Sequence, residues 1–382
     1  MSARLDLTGL TAAPGQVRGG VRLVPLVRDE PITDLRLHAE LYDDGPGVVE
    51  VDRRTRYWSY IPHGFVATWS GDTAPTAAYG TSLGRAGEHG APARAPVRPH
   101  RRMARRVDGR RLRFLPLHLA LEGYLALHFG GPAVVWEQWS QRAVRHGLSP
   151  REEQAYAGAE VRDLADALKV FEIHPGQCGV VVHVADALAA AFVVPHPDDY
   201  RALHPTLVAD LYGELVHHYA TYAAPVPEFR ARLSDEHVRS LADLRAAARR
   251  QRADWARFHD GTMAADLLDA AYSVRRVHRV GDYTLSRFLP GFGPKRENHI
   301  GELITDHRGR TAYLKTFRLS EAQSRRGHLL DRLAGHDWHL PGAAASLGLT
   351  EAQLGLRLDS AGLGLLLRED VLARYRASAA GG

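Results

Sequence analysis

The sequence predicts an α+β protein: a mixed N-terminal α/β-strand domain, a helical connector, a small β-hairpin unit and an all-α C-terminal helix-turn-helix. Three observations carry this. Short apolar runs such as VRLVPLV and CGVVVHV are bounded by Gly, Pro and Asp, as strands are. Two later segments read as tight hairpins, one around Gly281-Asp282 and one around Arg308-Gly309. The last stretch carries helix caps and helical apolar spacing. The 382 residues exceed one ordinary core, so several units are expected: 1–223, 224–272, 273–318 and 319–382.

In chain order, VRLVPLV (21–27), GVVEVD, RYWSYIP and GFVATWSG are strand candidates separated by turn residues. FLPLHLALEGYLALHF (114–129) is apolar enough for a buried helix or strand, and VRDLADALKVFEI has helical spacing at Val161, Leu164, Ala165 and Leu168. CGVVVHV and AAAFVVP read as a hairpin turning at Asp186. HPDDY opens a helix that Asp198 or Asp199 can cap, with an interruption expected at Pro205. APVPEF (224–229) reads as a linker. Helices are then expected over 234–258 and 262–272, followed by the two hairpins and the loop GFGPKRENHIG between them.

Composition bounds the function. The apolar fraction of 45% and charged fraction of 24% are those of a soluble globular chain. A single cysteine, Cys178, excludes an internal disulfide and a CxxC zinc site, and fits the cytoplasm. MSARLDLTGL has no apolar core of a signal peptide, and the longest apolar run is broken by His183 and Asp186, so no membrane span is expected. Of the 49 basic residues all but Lys169, Lys295 and Lys315 are arginine, so the net charge of +5 reflects a codon bias more than a partner. The clustering of charge says more: nine arginines lie between Arg94 and Arg113. They form either a phosphate-neutralising arm or an exposed arginine-rich loop.

Two further patterns point to anions. In GFGPKRENHIG, Gly291 and Gly293 bracket Lys295, Arg296, Asn298 and His299, and Lys315 follows on the next strand. Backbone N–H groups freed by glycine, with basic side chains beside them, suit a phosphate. The alternative is a connection that salt-bridges to Glu297 and Glu302. The pattern is neither a Walker nor a Rossmann fingerprint, and no cofactor is expected. His174, His183, His196 and His204 with Asp198 and Asp199 lack metal-ligand spacing and read as core or surface residues, so no metal is expected.

At the C-terminus, Ser320 with Gln323 and Thr350 with Gln353 have capping-box spacing, and Pro341 suits a first helical turn. Ala343-Ala344, Leu347-Gly348, Leu349-Thr350, Leu354, Arg357-Leu358 and Ala361-Gly362-Leu363 resemble the Fis-type helix-turn-helix of bacterial enhancer-binding regulators. The outward positions of the second helix would be Glu351, Gln353, Gly355, Arg357 and Asp359. Only Gln353 and Arg357 suit bases or phosphates, with Arg325 and Arg326 of the preceding helix as backbone contacts. The segment is therefore either a weak duplex-DNA binder or a packing module that docks a partner protein.

LTGLTAAPGQVRGGVRLVPLVRDEPITDLRLH, YWSYIPHGFVATW, IHPGQCGVVVHVADALAAAFVVPHPDDYRALHPTLVADLYGELV and YLKTFRLSEAQ resemble a bacterial family named for its association with ADP-ribosylglycohydrolases and rhodanese/phosphatase-like proteins, in its second type. The resemblance implies a setting of NAD or ADP-ribose metabolism, or of bacterial conflict systems, and no activity. The expectation is a non-catalytic regulatory or accessory protein that binds a ligand or partner. The alternative is an enzyme or binding module for NAD or ADP-ribose, with a pocket where His174, Gln177, Asp198 and Asp199 converge.

Overall fold

The computed structural model describes residues 2–18, 21–38, 173–184, 187–207, 237–293, 296–319 and 321–380, with short strands between 48 and 112 and residues 128–129. The chain opens with β1 (Ser2–Ala3), β2 (Leu10–Ala12), β3 (Gln16–Arg18) and β4 (Val21–Arg28). Seven short strands follow: β5 (Leu35–His38), β6 (Val48–Glu50), β7 (Arg56–Trp58), β8 (Phe65–Trp69), β9 (Ala77–Tyr79), β10 (Arg106–Val107) and β11 (Arg111–Leu112). Strands β12 (Gln177–Val184) and β13 (Ala187–Val193) pair as the expected hairpin, and Asp186 itself lies outside the described residues. Helices α1 (Pro197–Leu207) and α2 (Leu241–Phe258), a π turn (His259–Met263) and α3 (Ala265–Leu268) come next. Then come β14 (Tyr272–Val280), β15 (Tyr283–Pro290), β16 (His299–Thr305) and β17 (Thr311–Arg318). The chain ends in α4 (Glu321–Gly335), α5 (Leu340–Ser346), α6 (Glu351–Ser360) and α7 (Glu369–Ala380).

GVVEVD, RYWSYIP and GFVATWSG supply β6, β7 and β8, as expected. Most of the arginine run lies outside the described residues, apart from the paired β10 and β11. The stretches 114–127 and 161–172, the linker 224–229, Ser320 and Lys295 lie outside them too.

Ten strands form one antiparallel sheet in the order β1-β14-β15-β16-β17-β13-β12-β4-β2, with β3 also on β4. Segment 273–318 is thus not a β unit of its own. β17 pairs with β13 from Ala190↔Phe317 to Val193↔Leu314. An unpaired edge there would leave a row of N–H and C=O groups unsatisfied, and this pairing removes it. The two hairpins turn where expected, with Gly281 at φ 55° and Gly309 at φ 82°.

Side chains alternate across the sheet, and each face has its own core. One face packs Phe192, Leu285, Ile300, Tyr313 and Phe317 against Tyr200 of α1 and Leu35 of β5. The same core takes in Leu330 and Leu333 of α4, Ala343 and Ala344 of α5, and Leu354 and Leu358 of α6. Residues 319–382, expected as a separate domain, therefore close the sheet face. The other face packs Val181, Leu314 and Phe288 against Trp255 of α2 and Leu267 of α3.

Helix α2 begins at Leu241, not at 234. Ser240 caps it: its hydroxyl accepts from Asp243 N at 3.1 Å and donates to the Asp243 carboxylate at 2.8 Å. The helix expected over 262–272 is broken: a π turn and one short helix precede Tyr272, which already belongs to β14. Helix α1 runs through Pro205 to Leu207 without the expected interruption. A proline in the interior removes one backbone bond, which the packing of Tyr200 and Leu203 offsets.

Candidate functional site

Three neighbouring strands each place one charged residue between two apolar ones on the same face: Leu285–Arg287–Leu289 on β15, Ile300–Glu302–Ile304 on β16 and Tyr313–Lys315–Phe317 on β17. Pairing aligns them. Arg287 stands opposite Glu302, and Glu302 opposite Lys315. The next residue in the row is Phe192 on β13, and on the other side Arg275 faces Arg287 from β14. Arg287, Glu302 and Lys315 are 5%, 3% and 1% exposed, so three ionisable groups lie side by side inside an apolar layer. Arg287 Nε is 3.6 Å from Glu302 Oε1.

Burial sets the electrostatics of the row. It lowers the Lys315 ammonium well below the ordinary lysine range, and the Glu302 carboxylate opposes the shift. The backbone of His128 enters the same neighbourhood: Arg275 Nη1 donates to its carbonyl at 3.0 Å. The His128 imidazole is pushed down to about 4, by burial first and then by Arg275 and Arg287. Its Nδ1 is buried and has no hydrogen-bond partner among the described residues. Next to His128, Phe129 meets Phe292 of the glycine loop at 6.2 Å between ring centroids.

The structure separates the expected phosphate-binding residues. Arg296 is exposed. The Asn298 amide donates to the carbonyls of Gly293 and Arg296 and to Ser324 Oγ, and so tethers the loop to α4. Phe292, at φ 50°, drives into α4 at Gly327, where any Cβ would collide with its ring. The loop is thus an anchor for α4. His299 lies three residues from Glu302 in the strand and faces the opposite core, beside Glu297 at 3.6 Å. Alternation along β16 puts His299 and Glu302 on different faces, so Lys315 and His299 cannot share a ligand. Of the two expected cations, Lys315 is buried in the sheet and Arg296 faces solvent. Sequence reasoning gives Arg287 no role and gives Glu302 only that of a salt-bridge partner for the loop. Their signal was present in the sequence: a charge in the middle of an alternating apolar row, repeated on three consecutive strands.

Arg201 links Asp198 to the Pro175 carbonyl, between His174 and Gln177, but the side chains of the four residues of the expected pocket serve local structure. The Gln177 side chain accepts from His174 N and donates to Gly179 O. Asp198 binds Arg201 at 2.7 Å. Asp199 accepts two bonds from the Arg36 guanidinium, at 2.6 and 2.9 Å, and one from Leu37 N, tying β5 to α1.

On the other face a second polar pair is buried. His183 Nε2 lies 3.4 Å from His259 Nε2, and His259 Nδ1 is 2.8 Å from Asp260 Oδ1. Burial pushes the His183 imidazole down to about 3, helped by His259 and Arg22. Cys178 is a buried free thiol, raised by burial, with Arg28 opposing the shift. Among the described residues no group of three or more His, Cys, Asp or Glu could hold a metal ion, and no helix is long and apolar enough to cross a membrane.

The C-terminal helices form as their caps require. Thr350 and Gln353 make a reciprocal capping box, and His339 caps α5. The outward face of α6 differs from expectation. Gly355 is buried under α7, where a Cβ would lie 2.5 Å from Tyr375 Cδ2. Arg376 binds Asp359 at 2.7 Å, and the Tyr375 hydroxyl lies 3.5 Å from Glu351. Helix α7 thus runs along the stripe Glu351–Gly355–Asp359, which recurs every four positions on one side of α6; it buries Gly355 and leaves Glu351 exposed. Gln353 and Arg357 stay exposed, but the Gln353 side chain accepts from Thr350 N within the cap. Arg325 is exposed and lies 3.6 Å from Glu321.

The fold and site define an α+β protein with helices on both faces of an antiparallel sheet and a buried ionic row on one of them. The family model ARPP-2 matches residues 5–281, more than two thirds of the chain, and the protein belongs to the ARPP-2 family. The match includes His128 and Arg275 and stops before Arg287, Glu302 and Lys315. No curated protein and no solved structure matches the chain.

Proposed function

We propose that the protein is a ligand-binding regulatory or accessory protein, and that the Arg287–Glu302–Lys315 row with Arg275 and His128 takes an anionic, phosphoryl-bearing ligand of the ADP-ribose class. One observation carries this reading: three ionisable side chains are buried side by side where the same positions on neighbouring rows hold apolar residues. Apolar residues of similar volume would hold such a layer together as well or better. A row of buried charge therefore fits a binding role more than a stabilising one. The resemblance to proteins associated with ADP-ribosylglycohydrolases makes ADP-ribose the first ligand to test. The buried thiol fits a reducing compartment, the cytoplasm.

The C-terminal helices are read here as a docking or packing module rather than a base reader. The burial of Gly355 under α7 and the pairing of Asp359 with Arg376 support this, since α6 then offers outward the charges of Glu351 and Arg357, which cancel, and Gln353, which is held in the cap. Ligand-dependent thermal unfolding tests the main reading. At 100 times its Kd, ADP-ribose should stabilise the protein by about 2.7 kcal/mol, and Lys315→Met should abolish the shift. No shift with millimolar ADP-ribose, NAD or pyrophosphate overturns it.

A further inference from the structure

Helix α2 lies on the sheet face opposite the ionic row and is attached through Trp255, whose indole N–H donates to Ala13 O at 2.6 Å, with Ala256 and Phe258 packed against the same core. Among the described residues nothing covers its other side. Between residues 244 and 253 the helix carries four arginines, Arg245, Arg249, Arg250 and Arg252, and no acid. All four are exposed, and among the described residues none makes an ion pair. The two acids of the helix are engaged: Asp243 in the Ser240 cap and Asp254 with Arg257.

The arginines are not scattered around the helix. At about 100° per residue, the line opposite the buried side runs through Ala242, Ala246, Arg249 and Ala253. Arg245 and Arg252 flank this ridge on one side and Arg250 on the other. The outward ridge is therefore narrow, built of alanine with one arginine, and it has basic shoulders. The distance from Arg245 to Arg252 along the axis is about 10 Å. Leu241 and Leu244, also exposed, lie N-terminal to this stretch.

We infer that α2 is a nucleic-acid-binding helix, its alanine ridge entering the major groove of a duplex and its arginine shoulders holding the phosphates on either side. The groove, about 12 Å wide, admits one α-helix when its outward side chains are small. Guanidinium groups bind phosphates bidentately and carry their charge at every accessible pH. Arg249 on the ridge faces the groove floor, where a guanidinium can meet guanine. An acidic protein surface offers no pair of parallel charged walls to two opposed shoulders. This surface is independent of the ligand reading, since it uses the other sheet face and none of the same residues.

The test is fluorescence anisotropy of the full chain with a labelled 20-base-pair duplex of mixed sequence, at 50 and 200 mM salt. Three phosphate contacts predict a roughly 40-fold loss of affinity between the two salts. Arg245→Gln/Arg250→Gln/Arg252→Gln should abolish most of the binding and its salt dependence, with an unchanged melting temperature. Arg325→Gln/Arg357→Gln should leave both as in the wild type. The inference is overturned by no binding at 50 mM salt. It is also overturned if the C-terminal variant, and not the α2 variant, loses the duplex. Binding to anionic lipid vesicles without binding to duplex overturns it as well, and assigns α2 to a membrane surface.

Discussion

Replacing Glu302 by leucine should destabilise the protein by about 3–5 kcal/mol, the cost of removing one partner from a buried charge cluster. The structure gives the reason. Glu302 is 3% exposed and stands in register between Arg287 and Lys315, so its loss takes the carboxylate away from the buried Arg287 guanidinium and from the Lys315 amine. Lys315→Met alone should cost less, because Glu302 keeps Arg287 at 3.6 Å. The triple variant Arg287→Met/Glu302→Leu/Lys315→Met should recover most of the loss or exceed the wild type, since it leaves an apolar layer continuous with Ile300, Tyr313 and Phe317. pH provides a second arm. The folded state holds the Lys315 pKa below its unfolded value near 10.4, so above the lowered pKa the unfolded chain binds more protons than the folded one. Stability then rises with pH up to about 10.4, by roughly 1.4 kcal/mol per unit, and Lys315→Met flattens that rise. Urea unfolding at pH 7, 8 and 9 measures both effects. A cost below about 1 kcal/mol for Glu302→Leu, with an unchanged pH slope in Lys315→Met, refutes the reasoning. The triple variant also separates stability from binding: it should fold and fail to bind ADP-ribose.

Gly355→Ala places a methyl 2.5 Å from Tyr375 Cδ2, and should cost about 1–3 kcal/mol in thermal unfolding, relieved by Tyr375→Ala. The buried His183 is neutral in the folded state and charges on unfolding, so between about 6.5 and 3 the protein should lose roughly 1.4 kcal/mol per pH unit; His183→Asn should reduce that acid slope, and an unchanged slope would place the acid sensitivity elsewhere. Trp255→Phe should cost about 1 kcal/mol through the lost bond to Ala13 O, read as a fall in urea midpoint without a change in slope.

Several features were legible because they depend on neighbours in the chain. Thr350 and Gln353 sit three residues apart, and that spacing alone lets them cap α6 from both sides. Gly281-Asp282 between two alternating runs makes a two-residue turn, with Val280 facing Tyr283. Helix α2 begins several residues after the expected start because Ser240 and Asp243, not the apolar pattern, decide where it begins. The anion site was half legible. Lys315 was singled out, but its partners were sought in the adjacent loop, whereas Phe292 and Asn298 use that loop to anchor α4. Arg287 and Glu302 carry the same alternating signature as Lys315, but from the sequence Glu302 reads only as a salt-bridge partner of the loop and Arg287 as an ordinary strand residue.

Caps, turns and the period of each strand follow from hydrogen bonds and steric limits spanning a few residues, and these are written in the sequence. Which strands lie side by side is set by pairing between segments far apart, and so is what lies over an outward helix face. β17 meets β13 across more than a hundred residues, which merges the expected hairpin unit into one sheet. The alignment of Arg287, Glu302 and Lys315 follows from the register of three strands, and no single strand contains it. The covering of Gly355 by Tyr375 likewise depends on where α7 packs, because a glycine reads as a weak helix position until a ring is found resting on it.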